Sequence, residues 1–185
     1  MDTAKITLEP LPRQSSSPVF VGYLTSSPIG PMWVAVSDHG LVMVDWSSSP
    51  SDFSKQVEQR FQSRAIVDNL RAAEALSQLA AYLNGDLHQF TLPLDLAGMT
   101  PFQRQVLHLT IQIPYGHTLT YKEIALLSGN PNAARAVGRV EATNPIPLVI
   151  PCHRVIGSDG SLHGYGGPGG VKLKAWLLHL EKTSL

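Results

Sequence analysis

The chain has 185 residues, of which 43% are hydrophobic and 15% charged, a composition typical of a globular protein with one good core or two small ones. No apolar run approaches the roughly 18–20 residues that a membrane helix needs, so we expect no membrane attachment and a cytoplasmic protein. The single cysteine excludes an internal disulfide and any zinc site built on two or more thiolates, and we expect no bound metal.

The formal net charge is zero, but the two halves of the chain differ. Residues 1–97 carry six Lys or Arg against ten Asp or Glu, whereas residues 98–185 carry eight against four and hold five of the seven histidines. Any contact with nucleic acid therefore belongs to the second half. The split predicts two domains, at residues 19–97 and 98–185, after a polar and flexible leader at residues 1–18.

In the first half, three short apolar and β-branched runs separated by turn residues predict a small antiparallel sheet. These runs are residues 19–24, 32–37 and 41–46. Apolar residues at helical spacing predict two helices that cover the sheet. The first stripe is Phe53, Val57 and Phe61, and the second is Leu70, Ala73, Leu76, Leu79, Ala80 and Leu83. The stretch 86–99 lacks a sustained period and is predicted to be a linker.

The second half begins with a strong helix signal. Thr100-Pro101-Phe102-Gln103 combines an N-cap, a proline at the first helical position and a capping box. We expect this helix to end at Pro114. Its predicted buried stripe is Phe102, Val106, Leu109 and Ile113.

A helix-turn-helix pattern follows. A second capping box, Thr120-Tyr121-Lys122-Glu123, predicts a short helix that Gly129 closes. Asn130-Pro131 is then predicted to cap a further helix that reaches Ala142. The spacing fits a DNA-binding helix-turn-helix, although a plain pair of packed helices gives the same pattern.

The second helix of this pair has an unusual composition, with alanines and a glycine around Arg135 and Arg139. Small side chains permit close approach. The helix therefore either packs tightly on a neighbour with both arginines in solvent, or faces DNA with Arg135 projecting from it.

Next, the apolar run 146–150 leads into Pro151-Cys152-His153-Arg154-Val155. A thiolate is the nucleophilic form of cysteine, and an imidazole can remove the thiol proton directly or through water. Cys152 beside His153 is thus compatible with nucleophilic catalysis. A buried, unreactive cysteine is the alternative.

This segment resembles the active-site signature of the methylated-DNA–protein-cysteine methyltransferases, the 6-O-alkylguanine-DNA alkyltransferases. The matching residues are Pro-Cys-His-Arg-Val after Ile-Pro-Leu-Val-Ile. The resemblance runs through residues 99–182, in segments 102–107, 113–116, 120–121, 130–138, 144–145 and 174–178. It extends more loosely to residues 23–30. The resemblance implies an α+β protein with two domains. The first domain, a small antiparallel sheet with helices, would be ribonuclease H-like. The second domain would be mostly helical and winged-helix-like, and would carry the helix-turn-helix.

The resemblance also implies an activity, direct-reversal DNA repair in a single turnover. The alkyl group of 6-O-alkylguanine, and that of 4-O-alkylthymine, would pass irreversibly from double-stranded DNA to Cys152. The damaged nucleotide would be flipped out of the duplex, because its alkyl carbon is unreachable inside the stack. No cofactor is needed, since the DNA itself is the alkyl donor, and we expect a monomer.

Carried over to this sequence, the resemblance makes His153 the base that takes the Cys152 proton through a bridging water. Glu181 would polarise His153, and Asn144 would brace the turn. Tyr121 would protonate the departing guanine and crowd the phosphate that rotates as the nucleotide leaves the stack. Without the resemblance, Glu181 is a solvated carboxylate at a frayed helix end and Tyr121 a packing residue.

The resemblance places DNA contacts on the second helix of the pair. Arg135 would fill the space of the extruded base, and small residues around it would lie in the minor groove. These small residues are Ala134, Ala136 and Gly138. Backbone groups near Cys152 and Val155, together with Tyr165, would contact the flipped guanine.

The loop 164–170 is about two residues longer than the usual family form, so the sequence leaves the preferred lesion size open. This loop also matches G-x-G-x-x-G, but only 16 residues follow Gly169, too few for a dinucleotide-binding unit. Two competing functions remain. One is a module that recognises alkylated DNA without repairing it, and the other is a cysteine hydrolase using Cys152, His153 and Glu181, which would need an oxyanion hole.

Overall fold

The structure is a computed structural model that describes residues 17–46 and 49–182. Residues 1–16 of the predicted leader lie outside the described residues. The described chain divides between Gly98 and Met99 into two compact units. Within it, no helix has the length and apolar character needed to cross a membrane.

The first unit is built on a four-stranded sheet in the order β3-β2-β1-β4. Strands β1 (Val19–Leu24), β2 (Met32–Ser37) and β3 (Gly40–Asp45) pair antiparallel, which confirms the three predicted strands. A fourth strand, β4 (Ala65–Val67), was not predicted; it pairs in parallel with β1 and makes the sheet mixed. The three residues of β4 include no buried one, and they are too few to show the alternation of apolar and polar residues that predicts a strand.

Two helices accompany this sheet, as predicted. Helix α1 (Pro50–Phe61) is capped by the Ser49 side chain and buries Phe53 and Val57. Its apolar face joins a core made with the strands, whose members are Val19, Val21, Trp33, Ala35, Val42 and Met43.

Helix α2 (Ala73–Leu83) begins later than the predicted stripe. Leu70 is 89% exposed, because the Asp68 carboxylate accepts hydrogen bonds from the backbone N–H groups of Leu70 and Arg71 and holds a turn there. The prediction is wrong at Leu70 and at the exposed Ala73. The buried residues of the helix are Ala75, Leu79, Tyr82 and Leu83.

The predicted linker 86–99 is wrong for its second part. Leu92, Leu94 and Leu96 are buried in the first unit. Leu41 of β3 donates to the Pro93 carbonyl at 2.9 Å and accepts from the Asp95 N–H at 2.9 Å. These bonds attach the segment to the edge of the sheet, and the alternation of its three leucines was the signal for an extended conformation.

The described part of the second unit, residues 99–182, contains four helices, two short strands and one 3-10 turn. The helices are α3 (Pro101–Ile111), α4 (Tyr121–Leu127), α5 (Ala134–Ala142) and α6 (Val171–Leu180). The strands β5 (Leu119–Thr120) and β6 (Val155–Ile156) pair in parallel, and the 3-10 turn is Cys152–Arg154.

Both predicted capping boxes are confirmed, at the starts of α3 and α4. The predicted stripe of α3 is half right. Val106 and Ile113 are buried, whereas Phe102 and Leu109 are only partly so, and Leu107 and Thr110 take their places in the core.

The predicted start of α5 is wrong. The helix begins at Ala134, and the Asn130 side chain instead accepts from the Asn132 N–H in the turn before it. An asparagine that bonds its own turn in this way is not available to cap the helix.

Candidate active site

A cavity of about 590 Å³ opens beside Cys152 in the second unit. Its wall is formed by α4, α5, the 3-10 turn and the loop 163–166. Six of the predicted site residues line it, namely Tyr121, Ala134, Arg135, Gly138, Cys152 and Tyr165. The other five, Ala136, Asn144, His153, Val155 and Glu181, are not in the wall.

Asn144 and the buried run 146–150 fix the position of Cys152. The Asn144 amide donates to the Ile150 carbonyl at 2.8 Å, and its oxygen accepts from the Ile146 N–H at 3.0 Å. Inside this closed loop, Leu148 adopts a φ of 73°, a left-handed conformation that costs a branched residue energy unless its surroundings hold it. Asn144 thus lies where the predicted brace would act.

Cys152 is buried, with 7% of its surface exposed, and opens onto the cavity. Burial, together with the charge of Glu141, raises the pKa of its thiol to about 12, while the Asn144 amide and Lys174 act in the opposite direction. The thiol is therefore protonated at neutral pH. Any reaction that uses the sulfur as a nucleophile needs a base to remove this proton.

Glu181 is the centre of a buried ionic cluster. It lies at the C-terminal end of α6 and is only 2% exposed, so the alternative of a solvated carboxylate at a frayed helix end is wrong. Arg154 donates to both of its oxygens, with Nε to Oε2 at 2.9 Å and Nη2 to Oε1 at 2.8 Å. The Gly116 N–H donates to Oε2 at 3.1 Å.

His153 is completely buried, and its Nε2 lies 2.9 Å from Oε1 of Glu181. Burial would raise the pKa of the Glu181 carboxyl, but hydrogen bonds from His153 and Arg154 outweigh it and hold that pKa well below its usual range. A carboxylate can only accept, so Nε2 of His153 carries the proton. Burial lowers the pKa of His153 despite the nearby Glu181, which leaves a neutral ring whose lone pair is on Nδ1.

Tyr121 is the first residue of α4 and lines the cavity. Its hydroxyl lies 3.5 Å from Nζ of Lys174, and its ring centroid is 5.8 Å from that of His163. Burial and the charges of Glu141 and Cys152 raise the pKa of Tyr121 to about 12. The phenol is therefore a proton donor, and not a base, at neutral pH.

The exposed face of α5 carries small and basic residues. Arg135, Ala136 and Arg139 are exposed. A Cβ added at Gly138 would meet the Tyr121 ring at 3.9 Å, which is an ordinary contact, so packing inside the unit does not demand glycine there. On its other face, α5 packs against α3 and α4 and buries Val137 and Val140, so the exposed arginines fit both predicted roles of the helix.

The two residues predicted to contact the base lie in different places. Tyr165 lines the cavity, in the loop after β6. Val155 is buried in β6, and its carbonyl accepts a hydrogen bond from Nζ of Lys174 at 2.6 Å.

Three further residues of the site were missed from the sequence. Arg154 stands in the Cys-His-Arg motif, but nothing local shows that it would reach Glu181. Lys174 is 1% exposed although lysine is rarely buried. Glu141 was detectable, because it follows the buried Val137 by four residues and therefore shares its face of the helix.

Comparison with known proteins gives consistent matches over both units. The description "6-O-methylguanine DNA methyltransferase, DNA binding domain" matches residues 101–183, and "6-O-methylguanine DNA methyltransferase, ribonuclease-like domain" matches residues 21–96. A methylated-DNA–protein-cysteine methyltransferase of Mycobacterium leprae is 45% identical over 159 residues, which is 84% of this chain and 88% of the relative. One of Methanosarcina barkeri is 43% identical, over 88% of this chain and 97% of the relative.

Solved structures agree. The crystal structure of Mycobacterium tuberculosis OGT in complex with DNA matches with a TM-score of 0.74 and 39% identity, over 89% of this chain and 93% of that one. A structure of the M. tuberculosis O6-methylguanine methyltransferase gives a TM-score of 0.71 and 38% identity over 89% of this chain and 93% of that one.

Proposed function

The chain belongs to the 6-O-methylguanine DNA methyltransferase family, and from this premise we propose that it repairs alkylated DNA by accepting the alkyl group on Cys152. The substrate is 6-O-alkylguanine in double-stranded DNA, with 4-O-alkylthymine as a second one. The observation that carries the proposal is that Cys152 opens onto a cavity while its neighbour His153 is bonded to the buried Glu181.

The reaction is a displacement at the alkyl carbon. A bond forms between that carbon and Sγ of Cys152, and the bond from carbon to guanine oxygen breaks, leaving its electron pair on the base. The thiol proton passes through water to Nδ1 of His153, where the tautomer fixed by Glu181 leaves a lone pair. Tyr121 gives a proton to the guanine, so that the base departs neutral.

The product thioether is stable in water at neutral pH, and we infer that each protein acts once. Titrating the protein with a duplex that carries one 6-O-methylguanine tests this. Repair should stop when one lesion has been removed per protein. Continued repair beyond that ratio would point to a hydrolase, and binding without repair would point to a recognition module.

We further propose that α5 enters the minor groove of the DNA. Its exposed Arg135 takes the place of the extruded nucleotide, and Ala134, Ala136 and Gly138 let the helix approach the backbone. The flipped base lies in the cavity, bounded by Tyr121 and Tyr165 and read by backbone groups near Val155.

The protein acts as a monomer in the cytoplasm and uses no cofactor. Support for the last point comes from the chemistry, because the damaged DNA supplies the alkyl group and Cys152 accepts it. Catalysis then depends on positioned donors and a base inside the protein.

Replacing Tyr121 by phenylalanine should slow alkyl transfer by about 100-fold, the usual contribution of a general acid. The free energy of unfolding should change by less than about 1 kcal/mol, since the hydrogen bond that the hydroxyl accepts from Lys174 is long, at 3.5 Å. Single-turnover rates and urea unfolding measure the two effects. Tyr23→Phe, in the first unit, is the matched control, and an unchanged rate in Tyr121→Phe would make Tyr121 a packing residue.

A further inference from the structure

Glu141 is a buried carboxyl group in the wall of the cavity that the mechanism does not use. It lies in the last turn of α5, is 6% exposed and lines the cavity together with Cys152. Its Oε1 is 2.6 Å from the hydroxyl of Thr110 on α3. Its Oε2 is buried and has no hydrogen-bond partner among the residues that the structure describes. A buried carboxyl group with one unused oxygen is costly and calls for a functional reason.

The surroundings of Glu141 accommodate both of its protonation states. The Thr110 hydroxyl has one proton but lies within reach of two acceptors, Oε1 of Glu141 and the Val106 carbonyl at 3.0 Å. An ionised Glu141 takes the Thr110 proton. A protonated Glu141 donates to Thr110, which then donates to Val106. Burial raises the pKa of Glu141 to about 7, so the two states exchange near neutral pH.

Lys174 is the positive charge that balances Glu141. It is almost completely buried on α6, donates to the Val155 carbonyl, and its charge acts on both Glu141 and Cys152. Other titratable groups have charges that act on Glu141 or line the same cavity, namely Tyr121 from α4, Arg135 from α5, Cys152, His163 and Tyr165. An ionised Glu141 cancels Lys174, whereas a protonated one leaves an uncompensated positive charge beside the thiol.

We propose that Glu141 is a specificity-determining residue that selects against alkyl groups carrying a negative charge. The inference rests on the proposed function. The reacting carbon must touch Sγ of Cys152, so any substituent on that carbon lies in the cavity whose wall contains Glu141. When Glu141 is ionised, its negative charge repels an anionic substituent in the cavity. When Glu141 is protonated, the uncompensated positive charge of Lys174 attracts that substituent. Two unit charges a few ångströms apart near a protein surface change a rate by about tenfold or more.

Two matched lesions test the proposal. One duplex carries 6-O-carboxymethylguanine, and the other carries 6-O-carbamoylmethylguanine, which has the same shape without the charge. Single-turnover transfer rates are measured for both at pH 6 and pH 8, and the ratio of the neutral to the anionic lesion is taken. This ratio cancels the ionisation of Cys152 and His153, because both lesions meet the same protein.

In the wild type, the ratio should rise about tenfold from pH 6 to pH 8 as Glu141 ionises. Glu141→Gln, which keeps the shape and the bond from Thr110, should hold the ratio at its low value at both pH values. Glu123→Gln is the control, since it removes the same charge from an exposed site in α4 and keeps the capping box. It should behave as the wild type does.

A wild-type ratio that does not change with pH would overturn the inference without any variant. So would a change that persists in Glu141→Gln, since the pH dependence would then not come from Glu141. A duplex that carries 6-O-methylguanine distinguishes a failure of the inference from a failure of the proposed function. If its methyl group is not transferred to Cys152, both the proposed function and the inference about Glu141 are wrong. If the methyl group is transferred but the ratio of neutral to anionic lesion does not depend on Glu141, only the inference is wrong.

Discussion

Replacing Glu181 by glutamine is expected to lower the free energy of unfolding by about 3–5 kcal/mol and to slow alkyl transfer by about 100-fold or more. The loss of stability follows from Arg154, whose buried guanidinium donates to both carboxylate oxygens and would keep its charge without a counter-ion. The loss of rate follows from His153, because an amide no longer fixes its proton on Nε2.

Urea unfolding at pH 7 and single-turnover repair measure these two effects. Glu123→Gln removes the charge of an exposed capping-box residue but keeps an acceptor oxygen there, and should change the free energy of unfolding by less than about 1 kcal/mol. A loss below about 1 kcal/mol in Glu181→Gln would contradict the buried ion cluster. A normal rate in a well-folded Glu181→Gln would contradict the role of Glu181 through His153.

The same cluster predicts a pH dependence of stability. The pKa of Glu181 is lower in the folded protein than in the unfolded chain, so its contribution is present above the unfolded value of about 4.3 and is lost as the pH falls through the folded one. The difference in unfolding free energy between wild type and Glu181→Gln should therefore shrink as the pH falls below about 4.

The second large effect is expected at Arg135. Arg135→Ala should slow repair of a duplex lesion by about 100-fold, because the few kcal/mol of unstacking are no longer offset by a side chain that occupies the vacated space. Transfer from the free base 6-O-methylguanine, which needs no flipping, should be unaffected. Arg135 lies at the cavity rim and is exposed, so its removal should not disturb the fold.

Arg139→Ala is the control for this experiment. Arg139 is an exposed arginine on the same helix and is not in the cavity wall, so its loss removes the same charge from the DNA-facing unit. Equal effects of the two variants would mean that Arg135 contributes only charge. A slower reaction of Arg135→Ala with the free base would mean that it acts on the chemistry instead of on flipping.

Local signals in the sequence were sufficient where short-range physics decides the structure. The capping boxes at Thr100 and Thr120 are formed within four residues, and both helices begin where they predict. The strand β4 was not predicted because its three residues are defined by pairing with β1, 46 residues earlier in the chain. The start of α2 was misplaced because the side chain of Asp68 competes with the helix for the next backbone N–H groups.

The candidate site also contains both residues that could be predicted from the sequence and residues that could not. The resemblance identified Cys152, His153 and Glu181 as candidate site residues. It did not predict that Arg154 lies between Glu181 and the Ile113 carbonyl. Glu141 shows the opposite case. Helical spacing alone places it on the buried face of α5, yet its partner Thr110 lies on another helix, so only the folded chain reveals the bond between them.

The proposed function depends most directly on the fate of Cys152. The decisive measurement is the mass of the intact protein and of its Cys152 peptide after mixing with a duplex that carries one 6-O-methylguanine, with Cys152→Ala as control. We predict one added methyl group, located on Cys152 and absent from the control. A lesion that is bound while the mass stays unchanged would contradict alkyl transfer, and the protein would then be a module that recognises the damage.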